Sequence, residues 1–521
     1  MNRHAKFLAL LFALVLVAVA CGGDDSTTAG EEGTDTTAAE SAGGGVDEKA
    51  AEEAVAGADE ETTTTVATAA GSIEELEAQW AEARQAVVDK IKAGGYGIDE
   101  NNVLIGPDEF KIDLNNCPSD WSDTASLTDT SIVIGHTTAQ SGNLAAYGNI
   151  AAGMEAYFDY VNDNGGIGGR NIELVVKDDE YVATKTIELV DELLQSENPF
   201  AITTLGSPNT LAVYDTLNEK CVPHPFVMTG HPAWGDPVNH PWTNGLQMSY
   251  ATEAILWGNW IKTNLADDLP VKVAGLVMDN DFGLAYEDGF QKWADANPDV
   301  VSEFLAVPHD PAAPTVTNEM TTIASSNPDV FISMTAGNPC LLAVQEAGNS
   351  GLTETTKALF APSVCKDPNS FMIPAGDVAE GWNIVGGGLK VTTDPQYADD
   401  PYIKWANETM DAAGLDTTVG NYGTGFAMFA WPYVEALRIA NELDGGLTRT
   451  NLELAIRAMD LNHPLVLDGV TFAVDGDKDA YFIEGSEFSK YDAANGSWIQ
   501  QGAVIDLNGS SPNCPWTESG C

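Results

Sequence analysis

Three histidines, a cysteine and an aspartate lie within twenty residues of one another and have side chains that could bind a metal ion. They are Cys221, His224, His231, Asp236 and His240. Imidazoles are common metal ligands, but histidine spacings of seven and nine do not place the rings on one helical face. Four prolines also break the segment. A loop with surface and strand-edge histidines explains the pattern better, so we predict no metal site and no cofactor.

The acidic pair Asp178-Asp179 could act as the paired carboxylates of a secreted hydrolase. Adjacent residues on a strand point to opposite faces, so the two carboxylates cannot easily share one substrate. The chain has no Walker Lys-Ser/Thr pattern and no Gly-x-Ser-x-Gly elbow. The stretch Gly166–Arg170 has only part of the dinucleotide-binding spacing and follows a helix, which indicates a turn. We therefore predict that the protein is not an enzyme, and a hydrolase is the least favoured alternative.

The elements that would position a site form two runs of alternating strands and helices. The strands expected from short apolar stretches are 131–135, 172–176, 200–205 and 225–229 in the first run, and 271–278, 302–307, 330–334 and 359–361 in the second. Strands that alternate with helices indicate parallel sheets with right-handed crossovers. We predict an α/β fold of two doubly wound, Rossmann-like lobes that face each other across a cleft, with binding groups at the carboxyl ends of the strands.

The N-terminus predicts export. Arg3 and Lys6 precede an apolar stretch from Phe7 to Val19, which is too short to span a bilayer. The following Ala-Val-Ala-Cys-Gly resembles the bacterial lipobox, which implies a lipoprotein signal peptide over 1–20 and lipidation of Cys21. Ordinary secretion with an incidental Cys21 is the alternative. We expect the protein on the outer face of the cytoplasmic membrane, at the cell surface or in the periplasm, and held there by a lipid anchor only.

Composition restricts the partners and the N-terminal organisation. The formal net charge of −55 argues against binding to nucleic acid or anionic lipid headgroups. Residues 21–71 consist mostly of Gly, Ser, Thr, Ala and acidic residues, so we predict a disordered acidic tether. Ser72 and Glu75 form a capping box that begins an amphipathic helix to about residue 93, and an irregular extension follows to 129. We expect a monomer.

Six cysteines remain after Cys21, and an even number outside the cell fits three disulfides among fifteen possible pairings. Cys340 and Cys365 flank one predicted helix–strand step, so this pair is favoured. The pairs Cys117–Cys221 and Cys514–Cys521 complete the set.

Several motifs follow one another in an order that is typical of one family. They are Ser141-Gly142, Tyr147-Gly148, Asn162 to Gly169, Lys177-Asp178-Asp179, Leu205-Gly206-Ser207, Asp279 to Gly283 and Ala379-Glu380-Gly381-Trp382. Residues 130–490 thereby resemble the type I periplasmic solute-binding proteins of branched-chain amino acid (Leu/Ile/Val) ABC transporters, in their lipoprotein form. The resemblance implies two lobes joined by a three-crossover hinge: lobe 1 over 130–247 plus 385–465, lobe 2 over 248–384 plus 466–507, and a tail over 508–521.

The resemblance also implies the function. The protein would be an extracytoplasmic solute-binding lipoprotein of an ABC importer that closes on a small solute and then engages the permease subunits. The solute would be a branched-chain amino acid, an amide or a related carboxylate. A ligand-sensing surface lipoprotein with the same fold is the alternative, because a sensor would pass its signal to a receptor instead.

The resemblance places ligand-binding residues on both lobes by position. In lobe 1 they are Ser141, Gly142, Tyr147, Ser207, Gly230 and His231; in lobe 2 they are Phe282, Thr335 and Ser363. Ser207 precedes Pro208 and could also cap a helix, and core packing is an alternative for Tyr147. Leucine-type members carry a Glu after a later strand to pair with the ligand ammonium, whereas this chain has no acid there before Asp367. The missing Glu favours an amide, a carboxylate or a more apolar solute.

Overall fold

The structure, a computed structural model, describes residues 44–58, 71–517 and 521. The expected signal peptide (1–20), the lipidation site Cys21 and parts of the expected tether lie outside these residues. Among the described residues, no helix is both long enough and apolar enough to cross a membrane.

Short apolar stretches form the strands of the first lobe, as the sequence predicts. A small antiparallel sheet precedes them, with strands β1 (Gly97–Ile98), β2 (Val103–Ile105) and β3 (Lys111–Asp113). The lobe itself contains β4 (Ser131–Thr138), β5 (Asn171–Asp178), β6 (Ala201–Thr204), β7 (His224–Val227) and β8 (Thr243–Gly245). The order β5-β4-β6 is parallel, and β7 pairs in parallel with β8. A bond of 2.9 Å from Met228 N to Thr204 O joins β6 to the end of β7.

The second lobe is built on one sheet of seven strands. They are β9 (Val271–Met278), β10 (Val301–His309), β11 (Val330–Met334), β12 (Ala358–Ala361), β13 (Asn383–Val385), β14 (Ser486–Asp492) and β15 (Ser497–Ile505). The order is β10-β9-β11-β12-β13-β14-β15. The first five strands are parallel, and β14 and β15 add an antiparallel hairpin to the edge. The central strand β11 is buried along its whole length, as expected of a strand covered on both faces.

Helices alternate with the strands of the two lobes along the chain. They are α1 (Glu48–Ala58), α2 (Ile73–Gly94), α3 (Asn149–Asp163), α4 (Ala183–Ser196), α5 (Ser207–Glu219), α6 (Tyr250–Asn264), α7 (Asp281–Ala296), α8 (Thr317–Ser325), α9 (Asn338–Asn349), α10 (Leu352–Thr355), α11 (Pro401–Ala412), α12 (Gly420–Gly423), α13 (Ala430–Glu442) and α14 (Arg449–Arg457). The predicted fold class, two doubly wound α/β lobes, is confirmed.

Three chain crossings join the lobes, and one of them differs in position from the prediction. The chain enters the second lobe before α6 and leaves it after β13. Residues that follow α14 remain paired with the first lobe, since Val474 N donates to Met459 O at 2.9 Å and Asp460 bridges to Ala473. The third crossing therefore lies near Gly485 and not at 466. The final hairpin begins only at Ser486, where β14 pairs with β13.

The prediction that residues 21–71 form a disordered tether is wrong for the part that the structure describes. Residues 48–58 form α1, which packs against α6 and β15 of the second lobe. Its buried residues Ala51, Val55 and Ala58 recur at steps of four and three, so the helix does have an apolar stripe. The side chains are small, which is why the composition resembles that of a flexible segment.

The helix α2 begins as the capping box predicts. The Ser72 hydroxyl accepts the Glu75 N–H at 3.3 Å, and Gly95 ends the helix with a left-handed conformation. The helix packs on α11, α13 and α14 of the first lobe. Trp80 anchors it there, because its ring is buried against Trp431 at 5.2 Å and its indole N–H donates to Asn462 O at 2.9 Å.

The structure contains the favoured disulfide Cys340–Cys365 and the two pairs that complete the set. The Cα atoms are 5.5 Å apart in Cys117–Cys221, 5.8 Å apart in Cys340–Cys365 and 5.0 Å apart in Cys514–Cys521. The first bridge attaches the irregular N-terminal extension to the first lobe, and the second joins the start of α9 to the segment after β12.

Candidate ligand-binding cleft

A cleft of about 1110 Å³, including its open mouth, lies between the carboxyl ends of the strands of the two lobes. The chain segments that follow β6, β7, β11, β12 and β13 all reach it. Most of its lining side chains are apolar or aromatic; those from the first lobe and the hinge include Tyr147, Ile150, Tyr181, Leu205, Met228, Leu389, Met428 and Phe429, and those from the second include Tyr250, Phe282, Val364 and Phe371. Such a lining favours a solute with a substantial apolar part.

Hydroxyl and imidazole groups form the polar part of the cleft on the side of the first lobe, with Thr229 in the lining and the others behind it. The hydroxyls of Ser207 and Thr229 are 2.7 Å apart, and the hydroxyl of Thr204 lies 2.8 Å from His224 Nε2. His224 Nδ1 lies 3.3 Å from the Thr243 hydroxyl. We call Thr204, Ser207, His224 and Thr229 the first wall. All four side chains are buried, and burial lowers the pKa of His224 to about 3, so the wall is uncharged at neutral pH.

Gly206 allows the chain to enter α5 close to the cleft. Its φ of 95° lies in the region that favours glycine, and a Cβ at this position would overlap the ring of Tyr181. The glycine therefore lets the Tyr181 ring lie against the start of α5, where both residues line the cleft.

Charged groups lie behind the lining of the second lobe. Glu253, on the first turn of α6, is fully buried and accepts hydrogen bonds from the Ser363 N–H and hydroxyl, both at 2.7 Å. The hydroxyl of Tyr286 donates to the same carboxylate at 2.8 Å. Burial raises the pKa of Glu253 to about 7, although these three donors act to lower it.

Lys366 joins the second lobe to the hinge. Its buried ammonium donates to Glu487 and to the carbonyl oxygens of Gly386 and Leu389. The other carboxylate oxygen of Glu487 accepts the Gly388 N–H at 3.1 Å. We call Glu253, Ser363, Lys366 and Glu487 the second wall.

Two further ionisable groups line the cleft near the hinge. Lys390 pairs with Asp400 at 2.8 Å, and both side chains are partly exposed. Asp367 accepts hydrogen bonds from Ser370 and Thr393. Both lysines of the lining thus already have a carboxylate partner within the protein.

The structure brings three of the expected ligand-binding residues into the lining of the cleft: Tyr147, Phe282 and Ser363. The hydroxyl of Tyr147 accepts the Gly337 N–H of the second lobe at 2.9 Å, and burial raises the pKa of this phenol to about 12. Phe282 packs edge-on against Tyr250 at 5.0 Å. The hydrogen bond between Gly337 and Tyr147 shows that the two lobes touch each other across the cleft.

The remaining expected residues do not line the cleft. Ser141 donates its hydroxyl to Asp178 at 2.8 Å, and Gly142 is exposed beside it. Ser207 stands one hydrogen bond behind Thr229, which does line the cleft. Thr335 bonds to Ser333 at 3.0 Å and lies one residue before the lining residue Ala336.

Gly230 and His231 lie behind the cleft lining. The carbonyl of Gly230 accepts the Tyr250 N–H at 2.7 Å. His231 Nδ1 accepts the Ala233 N–H at 3.2 Å, and the ring packs edge-on against Trp516 at 4.7 Å. These two residues therefore support the chain that leads into the second lobe.

The side chains of segment 221–240 that could bind a metal bond to other groups of the protein. Cys221 is in a disulfide, His224 bonds to threonines, and His240 contacts both Asp215 and Asp236. Within the part of the chain that the structure describes, no cluster of three or more His, Cys, Asp or Glu side chains could hold a metal ion.

The two carboxylates of the acidic pair bind different groups. Asp178 accepts the Gln140 N–H and the Ser141 hydroxyl, both at 2.8 Å. Asp179 is buried and accepts bonds from Thr186 and Asn209 at 2.9 and 3.1 Å. The two side chains therefore support separate parts of the first lobe.

Sequence reasoning missed most of the polar residues near the cleft. Glu253, Lys366 and Lys390 belong to no motif in the sequence, and Glu253 and Lys366 find their partners Ser363 and Glu487 only in the folded chain. Tyr250 had a weak signal, because it begins the helix that follows the first crossing.

Comparison with known proteins agrees with this architecture. A family model described as periplasmic binding protein matches residues 131–482. The fatty acid ABC transporter substrate-binding protein from Thermomonospora curvata is 21% identical, with a TM-score of 0.60 over 74% of this chain and 95% of that chain. A branched chain amino acid ABC transporter protein from Thermus thermophilus with bound valine is 18% identical, with a TM-score of 0.63 over 73% and 97%.

A further solved structure is a solute-binding protein of an ABC transporter from Rhodopseudomonas palustris BisB5 in complex with 3,4-dihydroxybenzoic acid. It is 18% identical, with a TM-score of 0.59 over 74% of this chain and 98% of that chain. Among curated protein sequences, none matches the chain.

Two α/β lobes that enclose an apolar cleft and are joined by three crossings define a solute-binding protein. The chain belongs to the periplasmic binding protein family, and its fold is that of the type I members that serve ABC transporters. The resemblance noted in the sequence is thereby confirmed. Membership of this family implies a role outside the cytoplasm.

Proposed function

We propose that the protein is the extracytoplasmic solute-binding lipoprotein of an ABC importer and captures a small solute with a largely apolar body in its cleft. The observation that carries this proposal is the cleft of about 1110 Å³ between the two lobes. Its apolar walls and few polar groups fit a branched-chain amino acid, an amide or a related carboxylate. The bound valine, the bound dihydroxybenzoic acid and the fatty acid named for the structural neighbours belong to the same range.

The proposal assigns direct contact with the solute to Tyr147, Phe282 and Ser363. Tyr147 and Phe282 come from opposite lobes, so both can touch one solute only when the lobes are together. Contacts between the lobes support the closed arrangement: the Asn143 side chain of the first lobe donates to the carbonyls of Pro311 and Ala313 of the second at 3.1 and 3.2 Å. Binding of a solute between the lobes would favour this closed form, which the permease would then recognise.

A thermal-shift screen of the ligand-free protein against amino acids, amides and carboxylates tests the proposal. A solute at 100 times its dissociation constant should stabilise the protein by about 2.7 kcal/mol. Phe282→Ala should reduce this stabilisation, whereas Leu284→Ala should not, because Leu284 lies on the same helix but its side chain is exposed to solvent. The absence of stabilisation by every solute of the screen would overturn the proposal.

The lipid anchor and the transporter have separate tests. Mass spectrometry of the mature protein should find an acylated Cys21 at the N-terminus, and Cys21→Ala should release the protein from the membrane fraction. Genes for a permease and an ATPase beside this gene would support transport, whereas a receptor gene in their place would support the sensor alternative.

A further inference from the structure

The carboxylate of Glu253 controls which way the Ser363 hydroxyl faces. Ser363 follows β12 and lines the cleft, whereas Glu253 lies on α6 behind it. An ionised carboxylate can only accept hydrogen bonds. With Glu253 ionised, the hydroxyl protons of Ser363 and Tyr286 must both point at the carboxylate, as their distances of 2.7 and 2.8 Å show. Ser363 Oγ then has only lone pairs left to offer to the cleft.

The opposite lobe offers the complementary group. The hydroxyl oxygen of Tyr147 already accepts the Gly337 N–H at 2.9 Å. Its own proton has no protein acceptor among the hydrogen bonds of the described residues, so it is available to the cleft. The cleft thus has a donor on the side of the first lobe and an acceptor on the side of the second lobe.

We infer that Glu253 is a positioning residue that fixes Ser363 as a hydrogen-bond acceptor, so that the solute presents an ammonium, amide N–H or hydroxyl donor to Ser363 and an acceptor to Tyr147. The inference rests on the proposed function, since it concerns the solute of the same cleft. Glu253 also takes the place of the acid that the sequence lacks after β12, because it lies on α6 and acts through Ser363.

The neutral form of Glu253 has the opposite effect. The Ser363 N–H at 2.7 Å requires an acceptor at Oε1, so a proton on Glu253 would reside on Oε2 and could be donated to Ser363 Oγ. The Ser363 proton would then turn toward the cleft. Because the pKa of Glu253 is raised to about 7, a donor-bearing solute should bind more weakly as the pH falls from about 8 to about 6.

The neighbouring titratable groups do not compensate for this change. Glu487 on β14 is the nearby charge that further raises the pKa of Glu253, and it is itself paired with Lys366. Tyr286 on α7 and Tyr250 on α6 have pKa values raised above the ordinary value by burial, so both stay neutral in this range.

The test uses the exported protein and two pairs of probes that differ in a donor. Valine is compared with 3-methylbutanoate, and benzamide with benzoate, by calorimetry at about pH 8 and about pH 6. We expect the wild type to prefer the donor-bearing member of a pair, and its affinity for that member to fall at the lower pH. In Glu253→Gln the amide oxygen accepts the Ser363 N–H and the amide NH₂ faces Ser363 Oγ, so the variant mimics the neutral form. Its affinity for the donor-bearing probe should be about tenfold lower and independent of pH in this range.

Tyr286→Phe is the matched control, because it removes one donor to the same carboxylate and leaves Ser363 in place. This variant should keep the preference of the wild type. An unchanged preference in Glu253→Gln, or a preference of the wild type for 3-methylbutanoate and benzoate, would overturn the inference and leave the proposed function standing. Binding of other solutes without any binding of valine or benzamide would also overturn the inference and leave the proposed function standing. Failure of every solute to bind would overturn both.

Discussion

The two walls of the cleft are built from different chemistry. In the first wall, the neutral hydroxyls of Ser207 and Thr229 bond to each other, and Thr204 bonds to the neutral ring of His224. In the second wall, Glu253 and Glu487 are buried carboxylates, and Glu487 is paired with a buried lysine. One wall is a network of neutral polar groups, and the other contains charges.

This difference determines how each wall responds to substitution and to pH. A neutral hydrogen bond contributes about 1 kcal/mol net, whereas a buried charge that loses its partner destabilises by several kcal/mol. The carboxylate of Glu253 titrates near neutral pH, whereas the imidazole of His224 resists protonation until about pH 3. We therefore expect the second wall to adjust solute binding and the first wall to provide a fixed support.

The largest effect is expected from Lys366→Met. The substitution leaves Glu487 buried without its cation, which should lower the free energy of unfolding by about 3–5 kcal/mol in urea denaturation. Adding Glu487→Gln should recover part of this loss. The control is Lys390→Met, whose pair with Asp400 is partly exposed and should contribute about 1 kcal/mol or less. Equal losses in the two lysine variants would contradict the contrast between the walls.

The contribution of His224 in the first wall should appear in the free energy of unfolding when the pH is lowered. The pKa of His224 is about 3 in the fold and about 6.5 when unfolded, so the unfolded chain binds the proton more readily. Stability is therefore lost as the pH falls from about 6.5 toward 3, and this residue should account for about 2 kcal/mol at pH 5. His224→Gln should flatten the pH dependence of the free energy of unfolding by that amount.

His240 provides a control of opposite sign. Burial lowers its pKa, but the carboxylates of Asp236 and Asp215 outweigh burial, so the net pKa is raised. Its stabilising contribution is present below the unfolded pKa and is lost as the pH rises through the folded pKa. His240→Gln should therefore make the loss of stability on acidification steeper. A flatter dependence in both variants would argue against these assignments.

Substitution of two serines should distinguish a residue that supports the cleft from one that contacts the solute. Ser207→Ala removes a buried hydroxyl that bonds to Thr229, so it should lower the free energy of unfolding by about 1 kcal/mol and leave solute affinity unchanged. Ser363→Ala should instead lower the affinity for donor-bearing solutes by about tenfold. Chemical denaturation measures the free energy of unfolding of both variants, and calorimetry measures their affinity for the solute. A loss of affinity in Ser207→Ala would show that Ser207 contacts the solute after all.

The smallest effect is expected at the contact that joins the lobes. Asn143→Ala removes the hydrogen bonds from the first lobe to the carbonyls of Pro311 and Ala313 in the second. Water can replace these bonds when the lobes open, so we expect the dissociation rate of a bound solute to rise by about threefold. Stopped-flow fluorescence measures this rate, and the association rate should not change.

The sequence predicted the elements of the fold more reliably than the site. Apolar stretches such as Val330–Met334 became buried strands, and the capping box at Ser72 began a helix, because neighbouring residues in the chain decide these features. The prediction of a disordered tether is wrong for the part that forms α1, since Ala51, Val55 and Ala58 become a buried stripe only when α6 is present to cover them.

At the site, the sequence located Tyr147, Phe282 and Ser363 by their position in motifs, and the structure places all three in the cleft lining. It could not find Glu253, which is 110 residues before its partner Ser363. It also placed the third crossing too early, because the stretch after α14 pairs locally with the first lobe.

The sequence by itself determined the alternating strands and helices, the positions of the cysteines and the class of protein, since these depend on local periodicity and on short motifs. The tertiary structure decided which polar groups meet in each wall. Lys366 reaches the carbonyls of Gly386 and Leu389 and the carboxylate of Glu487 only where two crossings lie side by side. Glu487 finds its cation only through such a long-range contact, because Lys366 lies 121 residues before it in the chain.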